Sequence, residues 1–248
     1  MPKAKPVGVL PSRYGAQRFP GKPLAMIAGI PMIGRVVRQA LKAKGLSAVV
    51  VATDDERIAR VAEQYGAEAV LTPPELPSGT DRVAYVAARR KEDYFLNIQG
   101  DEPVISPALI DAAAKALTGD KTVRMSTVVV PLKSKKDWAD PNVVKAVLAL
   151  NGDALYFSRA PIPHSREGGF PAVYKHLGIY GYRRDWLLKM AKLKPTPLEL
   201  TERLEQLRAL ENGVSIRVAV GRGDSLSVDV PADIKKVERF LKTKGHER

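Results

Sequence analysis

The first half of the chain alternates short apolar runs with longer amphipathic ones. Residues 7–10 form a strand-sized apolar run stopped by Pro11, and residues 48–53, 68–71, 94–98 and 126–130 repeat that signal. Helical periods lie between them. Over 32–44, Ile33, Val36, Val37, Ala40 and Leu41 fall near one face, and Gly45 ends the pattern. Helices are also predicted up to Tyr65, capped by Asp54 or Asp55, over 80–91, and over 107–117 with Pro107 in the first turn. Strands joined by helices of this length need right-handed crossovers. The fold class is therefore α/β, a mostly parallel sheet with flanking helices. In such sheets ligands bind beyond the C-terminal strand ends. Residues 11–22, 53–54 and 99–103 all follow strand ends, so one rim collects the unusual loops.

Beyond about residue 131 the pattern changes. Residues 143–150, 154–157 and 174–182 read as strands with no long helix between them, an antiparallel section that is a separate lobe or a dimer-forming arm. Helices over 184–191 and 197–212 follow. A strand over 215–220, a short strand ending near Val228 and Asp229, and a helix over 231–243 complete the chain.

Composition narrows the functional classes. At 248 residues and 45% hydrophobic, the chain can bury a core without covalent staples. Cysteine is absent, which removes disulfides and thiolate metal sites and fits a reducing compartment. Apolar runs fall well short of the roughly 20 residues of a membrane helix, and no signal-peptide pattern opens the chain. The expectation is a cytoplasmic protein with no membrane insertion. The 40 Lys+Arg exceed the 27 Asp+Glu, a net charge of +13. That balance gives a solvated basic surface or a polyanion partner. Nucleic acid is not expected, because the basic residues are scattered and aromatics are only 6%. A small polyphosphate suits the motifs better.

The loop after the first strand carries Arg13, Arg18 and Lys22, with Gly15 and Gly21 freeing the backbone. Glycines let amide groups approach phosphate oxygens while the cations neutralise them. It is not a Walker A loop, since Pro23 stands where Ser or Thr would follow the lysine. A phosphate cradle is favoured over an ordinary basic loop. Asp101, behind Gly100 at a strand end, is placed either as a hard-cation ligand or as a capping acid before Pro107. Ser78, Thr80 and Asp81 can all cap the helix behind them, which leaves Arg82 or the Gly79 backbone to read a base edge. Alternation along 175–182 puts His176, Gly178 and Tyr180 on one face, where His176 and Tyr180 can donate to a polyhydroxy ligand. Arg159 can pair with a ligand carboxylate. Glu202 and Gln206 stand four apart on one predicted helix face, where a solvated surface is the simpler reading. Asp229 supplies a second carboxylate for a metal or caps the last helix.

In order along the chain stand Pro11-Ser-Arg-Tyr14, Arg18-Phe-Pro-Gly-Lys-Pro-Leu24, Pro31-Met-Ile33, Val51-Ala-Thr-Asp54 and Ser78-Gly-Thr-Asp-Arg82. Asn97-Ile-Gln-Gly-Asp-Glu-Pro103, Ala154-Leu-Tyr-Phe-Ser-Arg159, His176-Leu-Gly-Ile-Tyr-Gly-Tyr182 and Leu204-Glu-Gln-Leu-Arg208 follow. The ordered set resembles the 3-deoxy-manno-octulosonate (Kdo) cytidylyltransferases. Ser12 stands where that family usually has Ala. The resemblance implies a glycosyltransferase-A-like nucleotidyltransferase fold and a homodimer. It implies that CTP and Kdo give CMP-Kdo and diphosphate, with Mg2+, for lipopolysaccharide biosynthesis. Sialic acid and 8-amino-Kdo are the alternative acids. By matching position, Lys22, Asp101 and Asp229 are catalytic, and Asp101 and Asp229 bind the metal. Arg13, Gly15, Lys22, Ser78, Thr80, Arg82 and Gln99 hold the nucleotide. Gln99, Arg159, His176, Tyr180, Glu202 and Gln206 surround the sugar acid. The implied division is a nucleotide-binding part over 1–131, an antiparallel sugar-side and dimerisation section over 132–183, and completing helices and strand over 184–248.

Overall fold

A computed structural model describes residues 4–15, 19–223 and 225–243. Its strands are β1 (Val7–Ser12), β2 (Met26–Ile27), β3 (Ile30–Pro31), β4 (Ala48–Thr53), β5 (Glu68–Leu71) and β6 (Tyr94–Ile98). β7 (Met125–Pro131), β8 (Lys145–Leu148), β9 (Ala154–Ser158), β10 (Tyr174–Arg183) and β11 (Ile216–Val220) follow. The helices are α1 (Met32–Leu41), α2 (Glu56–Gln64), α3 (Gly79–Ala88), α4 (Pro107–Thr118) and α5 (Lys135–Ala139). They continue with α6 (Arg184–Met190), α7 (Pro197–Glu202), α8 (Leu207–Glu211) and α9 (Pro231–Thr243).

The main sheet runs β11-β7-β10-β6-β1-β4-β5, with β8 joined to β10 and β9 to β8. The pairs of β1 with β4 and β6, of β4 with β5, and of β7 with β11 are parallel. β10 is antiparallel to both β6 and β7. Period-two alternation sends successive side chains of one strand to opposite faces. In β4, Val50 and Ala52 enter one core and Val49 and Val51 the other. The first core is closed by Val83 and Ala87 of α3, Trp186 and Leu187 of α6 and Leu207 of α8. The second is closed by Ile33 and Val37 of α1, Ile58 of α2 and Ile110 of α4. A smaller cluster of Ile27, Met32, Val104, Val228, Val237 and Leu241 seats α9 beside the β2–β3 hairpin. The ends of β1, β4 and β6 therefore open on one rim, as the loop positions predicted.

Three expectations are corrected. The helix expected over 197–212 is two helices, because Arg203 adopts a left-handed conformation at φ 55° that ends α7. No strand forms around Val228 among the described residues; its N–H instead donates to the Asp101 carbonyl at 2.9 Å. The strand expected over 174–182 in the antiparallel section does pair antiparallel with β8 as part of β10, but it also runs as a central strand of the main sheet between β6 and β7.

Candidate active site

The chain leaves β1 through Arg13, Tyr14 and Gly15; Arg18, expected to bear on phosphate, lies outside the described residues. The loop closes where the Gly21 N–H donates to the Tyr14 carbonyl at 2.9 Å. Gly21 takes φ 70°, and a Cβ there would meet the Tyr14 ring at 3.2 Å, so both conformation and space select glycine. The Tyr14 N–H donates to Asp54 at 3.1 Å, and the Arg57 guanidinium lies 4.0 Å over the Tyr14 ring. Lys22 opens a 3-10 turn, and its ammonium donates to Asp101 at 2.7 Å and to the Val228 carbonyl at 2.9 Å.

Asp101 reaches this point because β6 ends against β1. A Cβ on Gly100 would fall 2.5 Å from Ser12 Oγ and 2.9 Å from the Pro11 carbonyl oxygen, so only glycine lets the two backbones approach. At the start of α3, Ser78 and Asp81 form a reciprocal capping box. Thr80 does not cap; it is buried and donates to Glu205 at 2.8 Å. Arg82 is buried and donates to Asp54 at 3.0 Å, to Thr72 Oγ1 and to the Pro73 carbonyl.

These elements enclose a cleft of about 490 Å³ lined by Ser12, Arg13, Lys22, Ser78, Gly79, Arg82, Gln99, Gly100, Asp101 and Asp229. Gly15 is exposed on the loop and Thr80 lies behind the wall; neither lines the cleft. Asp101 and Asp229 both line it and give hard oxygen donors. Magnesium takes one or two carboxylates and completes its shell with water and phosphate oxygens. The donor set fits that ion, and the described residues hold no cluster of three or more His, Cys, Asp or Glu that would cage a metal alone.

The second group of expected residues gathers around β10. Its register against β7 shifts between Leu177 and Tyr180, yet the His176 and Tyr180 rings still lie 5.4 Å apart. Thr127 Oγ1 donates its one hydrogen to the Ile179 carbonyl at 2.8 Å, so the 2.9 Å contact with His176 Nε2 must be a donation from the imidazole. That corrects the reading of His176 as a ligand donor: its proton is committed to Thr127, and Nδ1 is left as an acceptor. Burial pushes the His176 pKa down to about 3, consistent with a neutral ring. Burial also drives the Tyr180 phenol far up, so it stays protonated and donates to Gln206 Oε1 at 3.1 Å. Gln206 is 1% exposed, and its amide nitrogen has no partner among the described residues. It is not the solvated surface residue its spacing suggested.

Glu202 closes α7 and accepts from Ser158 Oγ at 2.5 Å and from the Arg159 N–H at 2.9 Å. Arg159 donates through Nε to the Glu202 carbonyl at 2.8 Å and through Nη1 to the Pro141 carbonyl at 3.0 Å. Glu202 and Gln206 do not share a helix, because the chain turns at Arg203 between them. Gln99 joins the two groups: it lines the cleft, and a Cβ on Gly178 would fall 2.8 Å from its Cγ.

Sequence reasoning gave Glu205 no role of its own, and placed Asp54 on the rim with no partner beyond a capping role, which Asp55 fills instead. Glu205 accepts from Thr80 and lies 3.7 Å from Arg208, and burial raises its pKa. Nothing in spacing marks an acid whose partner is 125 residues away.

A mostly parallel α/β sheet whose first loop brings a lysine and an arginine to a rim bearing two carboxylates defines a nucleotidyltransferase. Residues 7–216 match the Cytidylyltransferase family. The chain is 51% identical over 247 residues to the 3-deoxy-manno-octulosonate cytidylyltransferase of Myxococcus xanthus (strain DK1622), covering 99% of this chain and 100% of that protein. It is 48% identical to the enzyme of the same name from Geobacter metallireducens (strain ATCC 53774 / DSM 7210 / GS-15), over 96% of this chain and 98% of that one. A solved structure of CMP:2-keto-3-deoxy-manno-octonic acid synthetase complexed with CTP superposes with a TM-score of 0.92 at 38% identity, covering 97% of this chain and 100% of that one. The chain belongs to the 3-deoxy-manno-octulosonate cytidylyltransferase family.

Proposed function

We propose that the protein transfers the cytidylyl group of CTP to Kdo, giving CMP-Kdo and diphosphate for lipopolysaccharide biosynthesis. The observation that carries this reading is the convergence of Lys22, Asp101 and Asp229 on one cleft at the mouth of β1 and β6. The anomeric hydroxyl attacks the α-phosphorus in line; the new O–P bond forms as the bond to the β-phosphate oxygen breaks, and the hydroxyl proton is released to solvent. Such displacements ask a protein for position and charge rather than covalent work. Arg13 and Lys22 take the charge that grows on the departing diphosphate. The Ser78–Arg82 segment faces the cytosine end. Gln99 touches both nucleotide and sugar acid, since it stands where the two groups of residues meet. Arg159 receives the sugar carboxylate, and the unpartnered Gln206 amide donates to a sugar hydroxyl. His176 Nδ1 accepts from another hydroxyl. Glu202 acts behind Arg159 by fixing its backbone.

Asp101 and Asp229 would hold magnesium, which when bound supplies further neutralisation of the triphosphate. The protein works in the cytoplasm as a homodimer built on its antiparallel section, where Leu150 and Leu155 are exposed. No described helix is long and apolar enough to cross a membrane.

The test is diphosphate release from each of the four nucleoside triphosphates, with magnesium, with and without Kdo. Release with CTP and Kdo together is expected. Release with CTP and another sugar acid but none with Kdo would overturn the substrate assignment.

A further inference from the structure

Lys145 is fully buried, yet among the described residues no carboxylate receives its ammonium. Its three hydrogens go to three main-chain oxygens: Asp140 at 2.9 Å, Val143 at 2.6 Å and Arg159 at 2.5 Å. A buried ammonium is costly and persists only where its donors are all matched. Burial lowers its pKa, with the charges of Asp140 and Glu202 opposing that shift. A stabilising role for the sheet alone would be met more simply by an apolar residue, because β8 already pairs on both sides with β9 and β10.

The acceptors explain the choice of lysine. Asp140 and Val143 flank Pro141, whose carbonyl receives Arg159 Nη1 at 3.0 Å. The third acceptor is the main chain of Arg159 itself. The contacts form a closed ring: Lys145 holds the 140–143 loop, the loop holds the Arg159 guanidinium, and Lys145 holds the Arg159 backbone. Glu202 completes the support from the other side, through the Arg159 N–H and Nε. Arg159 is thus fixed at main chain and side chain without a carboxylate pairing with its guanidinium in these contacts. A guanidinium held by carbonyls keeps its charge available for an incoming carboxylate.

We propose that Lys145 is a positioning residue for the sugar-acid substrate: it acts through Arg159, setting the place of the guanidinium that receives the carboxylate. This rests on the reading of Arg159 as the carboxylate-binding group. A misplacement of about 1 Å in such a group costs up to about 100-fold in rate.

The experiment compares steady-state kinetics of Lys145→Met and Arg159→Ala with the parent enzyme, varying Kdo and CTP separately. Lys145→Met should raise the KM for Kdo about tenfold or more while the KM for CTP stays within about twofold. Arg159→Ala should show the same split, and the double variant should be little worse than Arg159→Ala alone, because both changes remove one interaction. If Arg159→Ala raises the KM for Kdo and Lys145→Met does not, the positioning role is overturned and the sugar-site reading stands. If Arg159→Ala leaves the KM for Kdo unchanged, the sugar-site reading itself fails. A uniform loss of activity in Lys145→Met, with both KM values moving together, shows a structural lysine only and overturns the proposal. Should Lys145→Met not fold, Lys145→Gln keeps two donors and carries the same comparison, with CTP kinetics reporting the integrity of the cleft.

Discussion

The Lys22 ammonium lies 2.7 Å from the Asp101 carboxylate and also donates to the Val228 carbonyl, so one side chain ties together the ends of β1, β6 and the approach to α9. Both partners are partly exposed, which limits the pair to about 1 kcal/mol of stability or less. In the proposed reaction their placement matters more than that stability. Asp101→Asn should leave the melting temperature within a few degrees of the parent and reduce diphosphate release by about 100-fold or more. Lys22→Ala should lower kcat/KM for CTP by roughly 10- to 100-fold. Kinetics with thermal melts on the same samples check both. Near-parental turnover in a folded Asp101→Asn protein would remove Asp101 from the reaction.

Asp54 and Arg82 form a pair of the opposite kind. The Arg82 side chain is 3% exposed and that of Asp54 13%, and Asp54 also receives the Tyr14 N–H of the loop after β1. Removing one partner strands a buried charge. Asp54→Ala should therefore cost about 3–5 kcal/mol, measured by urea unfolding. The loss should be less than additive with Arg82→Met, with a coupling of roughly 1–3 kcal/mol in the double-mutant cycle. Independent effects would show that the pair contributes nothing.

These two pairs mark what a sequence can show. Asp101 and Lys22 were legible because each sits in a glycine-bearing loop at a strand end, and the α/β alternation alone says where such loops meet. Strands 48–53, 68–71 and 94–98 were legible residue for residue, since apolar runs bounded by turn residues have local causes. The pairing of Asp54 with Arg82, of Thr80 with Glu205 and of Lys145 with three carbonyls is decided by packing between distant segments. The break at Arg203 was hidden for a related reason. Local pattern favours a continuous helix, and the chain turns there so that Gln206 can meet Tyr180.

Gly100 gives a test of close approach. A Cβ there would fall 2.5 Å from Ser12 Oγ and 2.9 Å from the Pro11 carbonyl oxygen. Gly100→Ala should destabilise the protein by about 1–3 kcal/mol and reduce turnover, because the loop bearing Asp101 must move off β1. Ser12 Oγ is itself buried with no partner among the described residues. Ser12→Ala should thus be neutral or stabilising by up to about 1 kcal/mol. In the double variant the contact with Ser12 Oγ is gone and that with the Pro11 carbonyl remains, so stability should recover in part. Urea unfolding of the three variants checks this, and a Gly100→Ala protein as stable and active as the parent would show that the loop tolerates displacement.

His176 predicts a pH dependence whose sign follows from its burial. Its pKa falls from 6.5 in the unfolded chain to about 3 in the fold, because the buried ring resists charging. Between those values the unfolded chain binds a proton that the folded one refuses. Stability from this group is fully present above pH 6.5, declines as the pH falls through the window, and stops declining near pH 3. The slope it adds within the window is at most about 1.4 kcal/mol per pH unit. His176→Gln keeps a donor for Thr127 but cannot titrate. Unfolding free energies at about pH 4.5 and about pH 7.5 should therefore differ less in His176→Gln than in the parent, while the carboxylates contribute equally to both proteins. Parallel pH profiles for the two proteins would mean that His176 titrates normally in the fold and that burial does not hold it neutral.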